Sequence, residues 1–461
     1  MTEQPPLAPP GIFKAYDIRG LYGSEMDETT AHAIGRAFAR VLARLRGKKT
    51  GGLRVGLGRD MRLTAPAMAA ELRDGLIFEG ATVLDAGMVA TEVLYHLVGS
   101  RELDGGAMVT ASHNPKAYTG VKLVREGALP LSGDAGIDDV RKEIATLRLD
   151  HAPGGGSFEE IDIWDEYRAH ALSFIDQNAV KPMKLVVDGG NGMAGPMVGP
   201  ILSKLGLDLE EMYFEPDGEF PDHEPNPLLE RNRRMIVERV QAGGADLGIA
   251  WDGDADRCFF IDGRGEFCDG DFVCALLARA ALAKSPGATI LYDPRSSRAV
   301  PDLVAAEGGR SALSRVGHAF FKVRMREEGA VFGGEVSGHY YFRDFWCADS
   351  GTIPALLMLE LLSVDGRSLA ELIDEFRSRY FISGEINSEV ADPEAKMAEI
   401  AERYSDGELT RLDGISVDYS DWHFNVRPSN TEPLLRLNLE SLVSREDMER
   451  KRDEILRLIR A

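Results

Sequence analysis

One passage of chain recurs three times, and no other feature narrows the fold as far. Each copy opens with an apolar run that ends in a polar turn and leads into a helical pattern: 53–60 (LRVGLGRD), 185–192 (LVVDGGNG) and 290–296 (ILYDPRS). A second short strand pattern follows at 82–88, 209–214 and 311–316, and a third, entered through Gly-Ala, at 106–109, 244–250 and 329–332. Apolar runs alternating with helical patterns predict βαβ units and a mainly parallel sheet. Ligands of such sheets sit beyond the carboxyl ends of the strands. The third strands end in TASHNP, DGDADR and GEVSGH, so the richest polar segments take equivalent places in the repeat.

Boundaries follow from punctuation. PGGGS at 153–157, after the charged helical pattern 138–149, reads as a linker, and the turn DGRGE at 262–266 as another. Past Arg379 the texture changes. A strand is predicted over 382–390, and a helix from Asp392-Pro393, an N-cap followed by Pro at N1. Strands over 415–419, 423–426 and 435–439 come next, then a helix from Ser444 with Asp447 three residues on. The expected order is an α/β domain over 1–153, a second over 154–265, a third over 266–378, and a smaller α+β domain of βαβββα order over 379–461.

Charge limits the partners. Over 461 residues, 53 Lys and Arg against 75 Asp and Glu leave −22. A nucleic-acid or anionic-membrane binder needs a cationic surface, so neither partner is expected. Hydrophobic residues at 44% and charged ones at 28% fit a globular chain rather than a disordered one. Four Cys without a CxxC pair make neither a disulfide framework nor a zinc knuckle. MTEQPPLAPPGIF lacks the basic and apolar regions of a signal peptide, and no apolar run approaches the ~18 residues of a membrane span. A soluble, cytoplasmic, multidomain protein is the expectation.

The polar loops carry the chemistry. Asp252, Asp254 and Asp256 alternate along one stretch, and carboxylates so close repel one another. A hard divalent cation resolves that repulsion, and all-oxygen ligation favours Mg²⁺ or Ca²⁺ over zinc. An EF-hand fails, with Arg257 where it needs Gly and Gly263 where it needs Glu. A solvated acidic turn is the bland alternative, disfavoured by flanking Trp251 and Cys258-Phe259-Phe260. Ser112, with His113 and Asn114 beside it, ends another strand; the elbow GxSxG is absent, and sequence neighbours rarely build a Ser-His triad. It either carries a phosphoryl group or makes an ordinary Ser turn. Glu335 and Ser337, two apart on an expected strand, would point the same way and suit adjacent sugar hydroxyls, or Glu335 is a satisfied core residue. At 427–431 (RPSNT), a guanidinium fork, two hydroxyls, an amide and backbone N–H groups are the parts of a phosphate cradle, or else of a tight hairpin.

In this order, FKAYDIRG (13–20), TASHNP (110–115), DGDADR (252–257), GEVSGH (334–339) and RPSNTEP (427–433) resemble the motifs of the α-D-phosphohexomutase superfamily, most of all its bacterial phosphomannomutase/phosphoglucomutase branch. The likeness spans nearly the whole chain. It implies three related α/β domains with mixed, mainly parallel sheets plus a smaller C-terminal α+β domain, around a central cleft. It implies a mutase that interconverts hexose 1-phosphate and hexose 6-phosphate through a hexose 1,6-bisphosphate, which is also its activator. Ser112 resembles the active-site phosphoserine and a metal ligand, with Asp252, Asp254 and Asp256 holding one Mg²⁺ per chain. Glu335 and Ser337 would hold the 3- and 4-hydroxyls, and Arg427, Ser429, Asn430 and Thr431 the distal phosphate. Tyr16, Arg19, His113, Lys122, Arg257, His318 and His339 match further active-site positions, Lys122 and His318 being candidates for acid-base work. Arg295 departs from the pattern, since close relatives often carry Lys there and a fork replaces a point charge. Partners would be phosphosugars, met by a monomer or weak dimer. Phosphoglucosamine mutases usually show SGT in the phosphate loop and Gln in the sugar loop. Ser429-Asn430-Thr431 and Glu335-Val336-Ser337 point instead to glucose and mannose phosphates. A phosphoglucosamine mutase, a Ser- and metal-dependent sugar phosphatase and a non-catalytic phosphosugar binder are the alternatives.

Overall fold

The computed structural model describes residues 7–132, 136–147, 154–429 and 434–461. Its chain divides into two compact units, Met1–Phe267 with His339–Gly366, and Cys268–Gly338 with Arg367–Ala461.

The repeat is physical. In the first unit one sheet runs Ile18–Leu21, Tyr118–Arg125, Gly105–Val109, Arg54–Arg59, Thr82–Met88, Ser157–Glu160. A second runs Cys258–Asp262, Leu247–Trp251, Lys184–Asp188, Asp208–Met212. In the second unit, Thr289–Tyr292 lies parallel between Phe332–Gly334 and Arg310–Leu313. The third strand of each copy therefore pairs in parallel with the first, which pairs in parallel with the second. TASHNP, DGDADR and GEVSGH all leave the carboxyl end of such a third strand, as the repeat predicts.

Each first strand ends alike. Asp60, Asp188 and Asp293 are buried. Their Oδ1 atoms accept from the backbone N–H two residues on, at Arg62 (2.9 Å), Gly190 (2.9 Å) and Arg295 (2.8 Å). These Asx turns replace ladder bonds that the chain gives up as it leaves the sheet. Each carboxylate also meets a basic side chain: Arg62, His223 and Arg295 respectively.

Some boundaries move. Gly244 (φ +58) and Gly329 (φ +62) close the helices Glu230–Gly243 and His318–Glu328 in the left-handed conformation, so these two Gly-Ala pairs mark helix ends and their strands start later, while Gly106-Ala107 lies within Gly105–Val109. Two glycines of the supposed linker, Gly154 and Gly156, serve close approach rather than flexibility. A Cβ at Gly156 would stand 2.3 Å from the Ala81 carbonyl oxygen, and Ser157–Glu160 then joins the first sheet parallel to 82–85. In the last domain the expected strand over 382–390 is two, Phe381–Ile382 and Ile386–Glu389, parted at Gly384 (φ +67), and a strand Glu408–Thr410 was not foreseen. Both predicted caps hold: Asp392 accepts from Ala395 N–H at 3.0 Å and Ser444 from Asp447 N–H at 3.1 Å. The sheet order there is Phe381–Ile382, Leu434–Ser441, Trp422–Pro428, Ile415–Asp418, Glu408–Thr410, with Ile386–Glu389 also on Leu434–Ser441.

Helices Glu28–Arg46 and Ala65–Phe78 cross through reciprocal glycines. A Cβ at Gly35 would lie 2.2 Å from the Leu72 carbonyl oxygen, and one at Gly75 2.2 Å from that of His32. Backbone faces backbone there and cannot yield cheaply. Gly35→Ala is expected to destabilise the first unit by about 3 kcal/mol, read as a lowered calorimetric midpoint. An unchanged midpoint would mean that the helices slide apart freely. Among the described residues, no helix is long and apolar enough to cross a membrane.

Candidate active site

The first unit brings Ser112 and the three aspartates together. Ser112 follows strand Gly105–Val109 and takes φ +48, a left-handed conformation costly for a residue with a Cβ. Its N–H donates to Thr110 Oγ1 at 2.9 Å, and its hydroxyl donates to Asp252 Oδ2 at 2.8 Å. Arg62 clamps the loop from behind, donating to the carbonyls of Ser112 (2.8 Å), Asn114 (2.6 Å), Pro115 (3.0 Å) and Tyr118 (3.2 Å). A Cβ at Gly253 would stand 2.5 Å from the Ser112 carbonyl oxygen, so the glycine of DGD lets the acidic loop approach.

Asp252, Asp254 and Asp256 are all buried, and one oxygen of each lies within 4.8 Å of the others. Arg257 holds Asp252 through its backbone N–H (3.1 Å) and Nε (2.9 Å). Lys122, on strand Tyr118–Arg125, donates to Asp254 Oδ2 (2.7 Å) and Asp256 Oδ2 (2.5 Å). Thr91 Oγ1 adds a 2.5 Å bond to Asp254 Oδ2. The remaining oxygens, Asp254 Oδ1 and Asp256 Oδ1, are buried with no hydrogen-bond partner among the described residues. Burial pushes Asp252 up to about 7, with Arg257 opposing it. Hard, under-satisfied oxygens in a buried cluster fit a divalent cation.

Of the other predicted residues of this unit, His113, Arg19 and His339 stand by Ser112 and the cluster. His113 Nδ1 is 3.2 Å from Ser112 Oγ, and burial, then Arg257 and Arg19, holds its imidazole far below its usual range. Arg19 donates to Asn114 Oδ1 (2.6 Å) and Asp17 Oδ2 (2.5 Å). Tyr16 is half-buried just before it. His339 Nε2 is 3.7 Å from Asp256 Oδ1. Although burial opposes it, Asp254 and Asp256 raise the Lys122 ammonium well above its usual range, so it is a cation here.

The second unit gathers the rest. Arg295 grips Asp293 with Nε (2.9 Å) and Nη2 (2.8 Å) and lies 3.5 Å from Glu335. Glu335 does not share a strand with Ser337. The strand stops at Gly334, and a turn closed by Gly338 N–H on the Glu335 carbonyl carries both residues, so strand alternation does not orient them. Glu335 Oε1 accepts from Gly317 N–H at 2.8 Å, beside His318 at the start of its helix. Arg427, buried near the end of Trp422–Pro428, donates to Glu385 Oε2 at 2.9 Å. Ser429 follows; Asn430 and Thr431 lie outside the described residues.

The comparisons agree along the chain. Models of phosphoglucomutase/phosphomannomutase match as alpha/beta/alpha domain I at 10–150, domain II at 165–265, domain III at 269–380 and the C-terminal domain at 385–458. The chain belongs to this family. A phosphomannomutase of Salmonella montevideo is 45% identical over 456 residues, covering 97% of this chain and 98% of the relative. A phosphohexose mutase of Xanthomonas campestris pv. campestris (strain B100) is 45% identical over 452 residues, 97% and 99% covered. The crystal structure of a phosphoglucomutase/phosphomannomutase family protein from Burkholderia thailandensis superposes with a TM-score of 0.88 at 33% identity, covering 98% of this chain and 97% of that one.

Family membership and the acidic cluster together imply a metal ion. Sequence reading missed Arg62, Thr91, Asp349, Glu385 and Arg436. Asp349 groups with Asp256 and His339 within 4.8 Å. A signal existed for Arg62 alone, which follows the turn that marks the repeat.

Glu92, next to Thr91, is buried and accepts from Thr352 N–H (3.1 Å) and Oγ1 (2.7 Å). Burial raises its carboxyl from 4.5 to about 7, against hydrogen bonds from Ser350 and Thr352. Between those values the folded state binds a proton that the unfolded state has lost. Stability present at low pH is therefore lost as pH rises from 4.5 to about 7, by about 3 kcal/mol. Glu92→Gln should gain on the wild type by that much over this range in urea midpoints; a pH-independent difference would refute the assignment.

Proposed function

We propose that the chain is a phosphohexomutase, an isomerase that interconverts the 1- and 6-phosphates of glucose and mannose. The observation that carries this is Ser112 Oγ at 2.8 Å from Asp252, within a buried carboxylate cluster already braced by Lys122 and Arg257. A serine held there can receive and return a phosphoryl group while cations spread its charge, which is what phosphoryl transfer demands.

Phosphorylated Ser112 gives its phosphoryl group to the free 6- or 1-hydroxyl of a hexose monophosphate. The P–O bond to Ser112 breaks and one to the sugar oxygen forms. The hydroxyl proton passes to a base, for which His318 is the candidate, while Lys122, an ammonium here, is the candidate acid. The resulting hexose 1,6-bisphosphate reverses and returns its other phosphate to Ser112, so phosphate is neither gained nor lost. Asp252, Asp254 and Asp256, with an oxygen of the Ser112 phosphate, would hold Mg²⁺, and it would supply Lewis-acid neutralisation of the phosphoryl oxygens. Arg257, Arg19 and His113 orient the phosphoserine. Glu335 and Ser337 hold the sugar's 3- and 4-hydroxyls, and Arg427, Ser429, Asn430 and Thr431 the distal phosphate. Glucose and mannose differ only at C2, so a grip on O3 and O4 accepts both.

The test is kcat/KM for glucose 1-phosphate, mannose 1-phosphate and glucosamine 1-phosphate side by side, with a trace of hexose 1,6-bisphosphate and with phosphate release followed. Turnover of the first two without phosphate release is expected. Preference for glucosamine 1-phosphate would make the chain a phosphoglucosamine mutase, and net release of phosphate would make it a phosphatase.

A further inference from the structure

The second unit contains a carboxylate bridge that the mutase reading leaves unused. Glu385 sits in the break between strands Phe381–Ile382 and Ile386–Glu389, both paired with Leu434–Ser441. Its Oε2 accepts from Arg427 Nη2 at 2.9 Å and its Oε1 from Arg436 Nη1 at 3.0 Å, while Arg295 Nη1 lies 3.9 Å from Oε2. Arg436 Nη2 also reaches Ser429 Oγ at 3.4 Å. The Nε groups of Arg427 and Arg436 are buried with no hydrogen-bond partner among the described residues. Arg427 is only 7% exposed, whereas the Glu385 side chain is 28% exposed.

We propose that Glu385 is an internal anion for the Arg427 grip, giving way to the substrate's distal phosphate and retaking the guanidinium when that phosphate leaves. The proposal rests on the mutase reading above and adds Arg436 to the grip as a second guanidinium. A buried guanidinium without an anion is costly, because burial removes its water and leaves its charge unpaired. Glu385 meets that cost in the absence of phosphate. A phosphate dianion brings more charge and more acceptor oxygens than a carboxylate, enough also for the two Nε groups that have no partner among the described residues, so exchange favours the substrate. The device matters most midway through the reaction. A bisphosphate that reverses must release one phosphate from Arg427 and present the other. With a carboxylate ready to return, release does not strand a bare buried cation. Against the upward push of burial, Arg427, Arg295 and Arg436 hold the Glu385 carboxyl below its usual range, so it is ionised at neutral pH.

Glu385→Gln keeps the shape and an acceptor but removes the charge. Without the competing anion, inorganic phosphate should bind about tenfold more tightly by calorimetry. KM for glucose 1-phosphate and kcat should both fall, since binding tightens while release slows. Glu385→Ala should tighten phosphate in the same direction, and the gain should vanish when Arg427→Lys is combined with Glu385→Gln. Phosphate affinity unchanged or weakened in both single variants, or a gain that survives Arg427→Lys, would overturn the exchange. A KM that rises as kcat falls would make Glu385 a strut and likewise overturn it. Wild-type protein that binds phosphate but shows no mutase turnover would instead overturn the mutase reading, leaving the calorimetric exchange to stand or fall by itself.

Discussion

Ser112→Ala is expected to reduce mutase turnover by roughly 10⁴-fold or more, the scale on which removing a covalent nucleophile acts. The phosphoryl group then has no oxygen to occupy between its two sugar positions. The same variant should leave the fold intact. Ser112 contributes one hydroxyl bond to Asp252, while Arg62 holds the loop through backbone carbonyls that alanine retains. The φ of +48 costs alanine no more than serine. Turnover of glucose 1-phosphate, phosphoprotein content after exposure to hexose 1,6-bisphosphate, and the thermal midpoint are the three measurements. Near-normal turnover in a folded, unphosphorylated variant would end the phosphoserine assignment.

The second large effect concerns the metal. The cluster carries three carboxylates against Lys122 and Arg257, and a phosphate on Ser112 would add close to two more negative charges. Without a further cation, phosphorylating Ser112 there is opposed by like charge. Chelation should therefore lower turnover by about 10³-fold, the equivalent of about 4 kcal/mol of charge stabilisation, and added Mg²⁺ should restore it. Asp254→Asn should behave as a metal-binding lesion. Asp254 Oδ1 is the oxygen left unpartnered, while Thr91 and Lys122 occupy Oδ2. The variant's Mg²⁺ requirement should shift to higher concentration, with partial recovery at saturation. Full activity in exhaustively chelated protein would remove the metal from the proposal.

Much of the site was legible because its chemistry is written locally. DGDADR places three carboxylates within five residues, and no fold is needed to see that they repel. TASHNP stands at the carboxyl end of a strand paired in parallel, where such a sheet puts its ligands, and RPSNT gathers a guanidinium, two hydroxyls and an amide within five residues. Residues that act on backbone or across long separations left no such mark. Arg62 donates to carbonyls, which every residue owns, so its side-chain type gave no signature and only its place after the repeat's turn marked it. Glu385 reads as one acid among many until its partners, 42 and 51 positions away, are found. The alternation argument for Glu335 and Ser337 failed for the opposite reason: alternation is a rule for strands, and the strand had already ended.

The sequence alone determined the alternation of strand and helix, the threefold repeat, the change of texture after Arg379 and the order of the polar loops. These depend on interactions among near neighbours: hydrophobic period, caps such as Asp392 and Ser444, and turn residues. Tertiary structure alone decided that Ser112 meets Asp252 across 140 positions and that Lys122 bridges Asp254 and Asp256. It also decided that Gly154 and Gly156 of PGGGS press against backbone rather than loosen it. Such pairings are set by how whole layers pack, and packing joins residues whose separation along the chain carries no periodic signal.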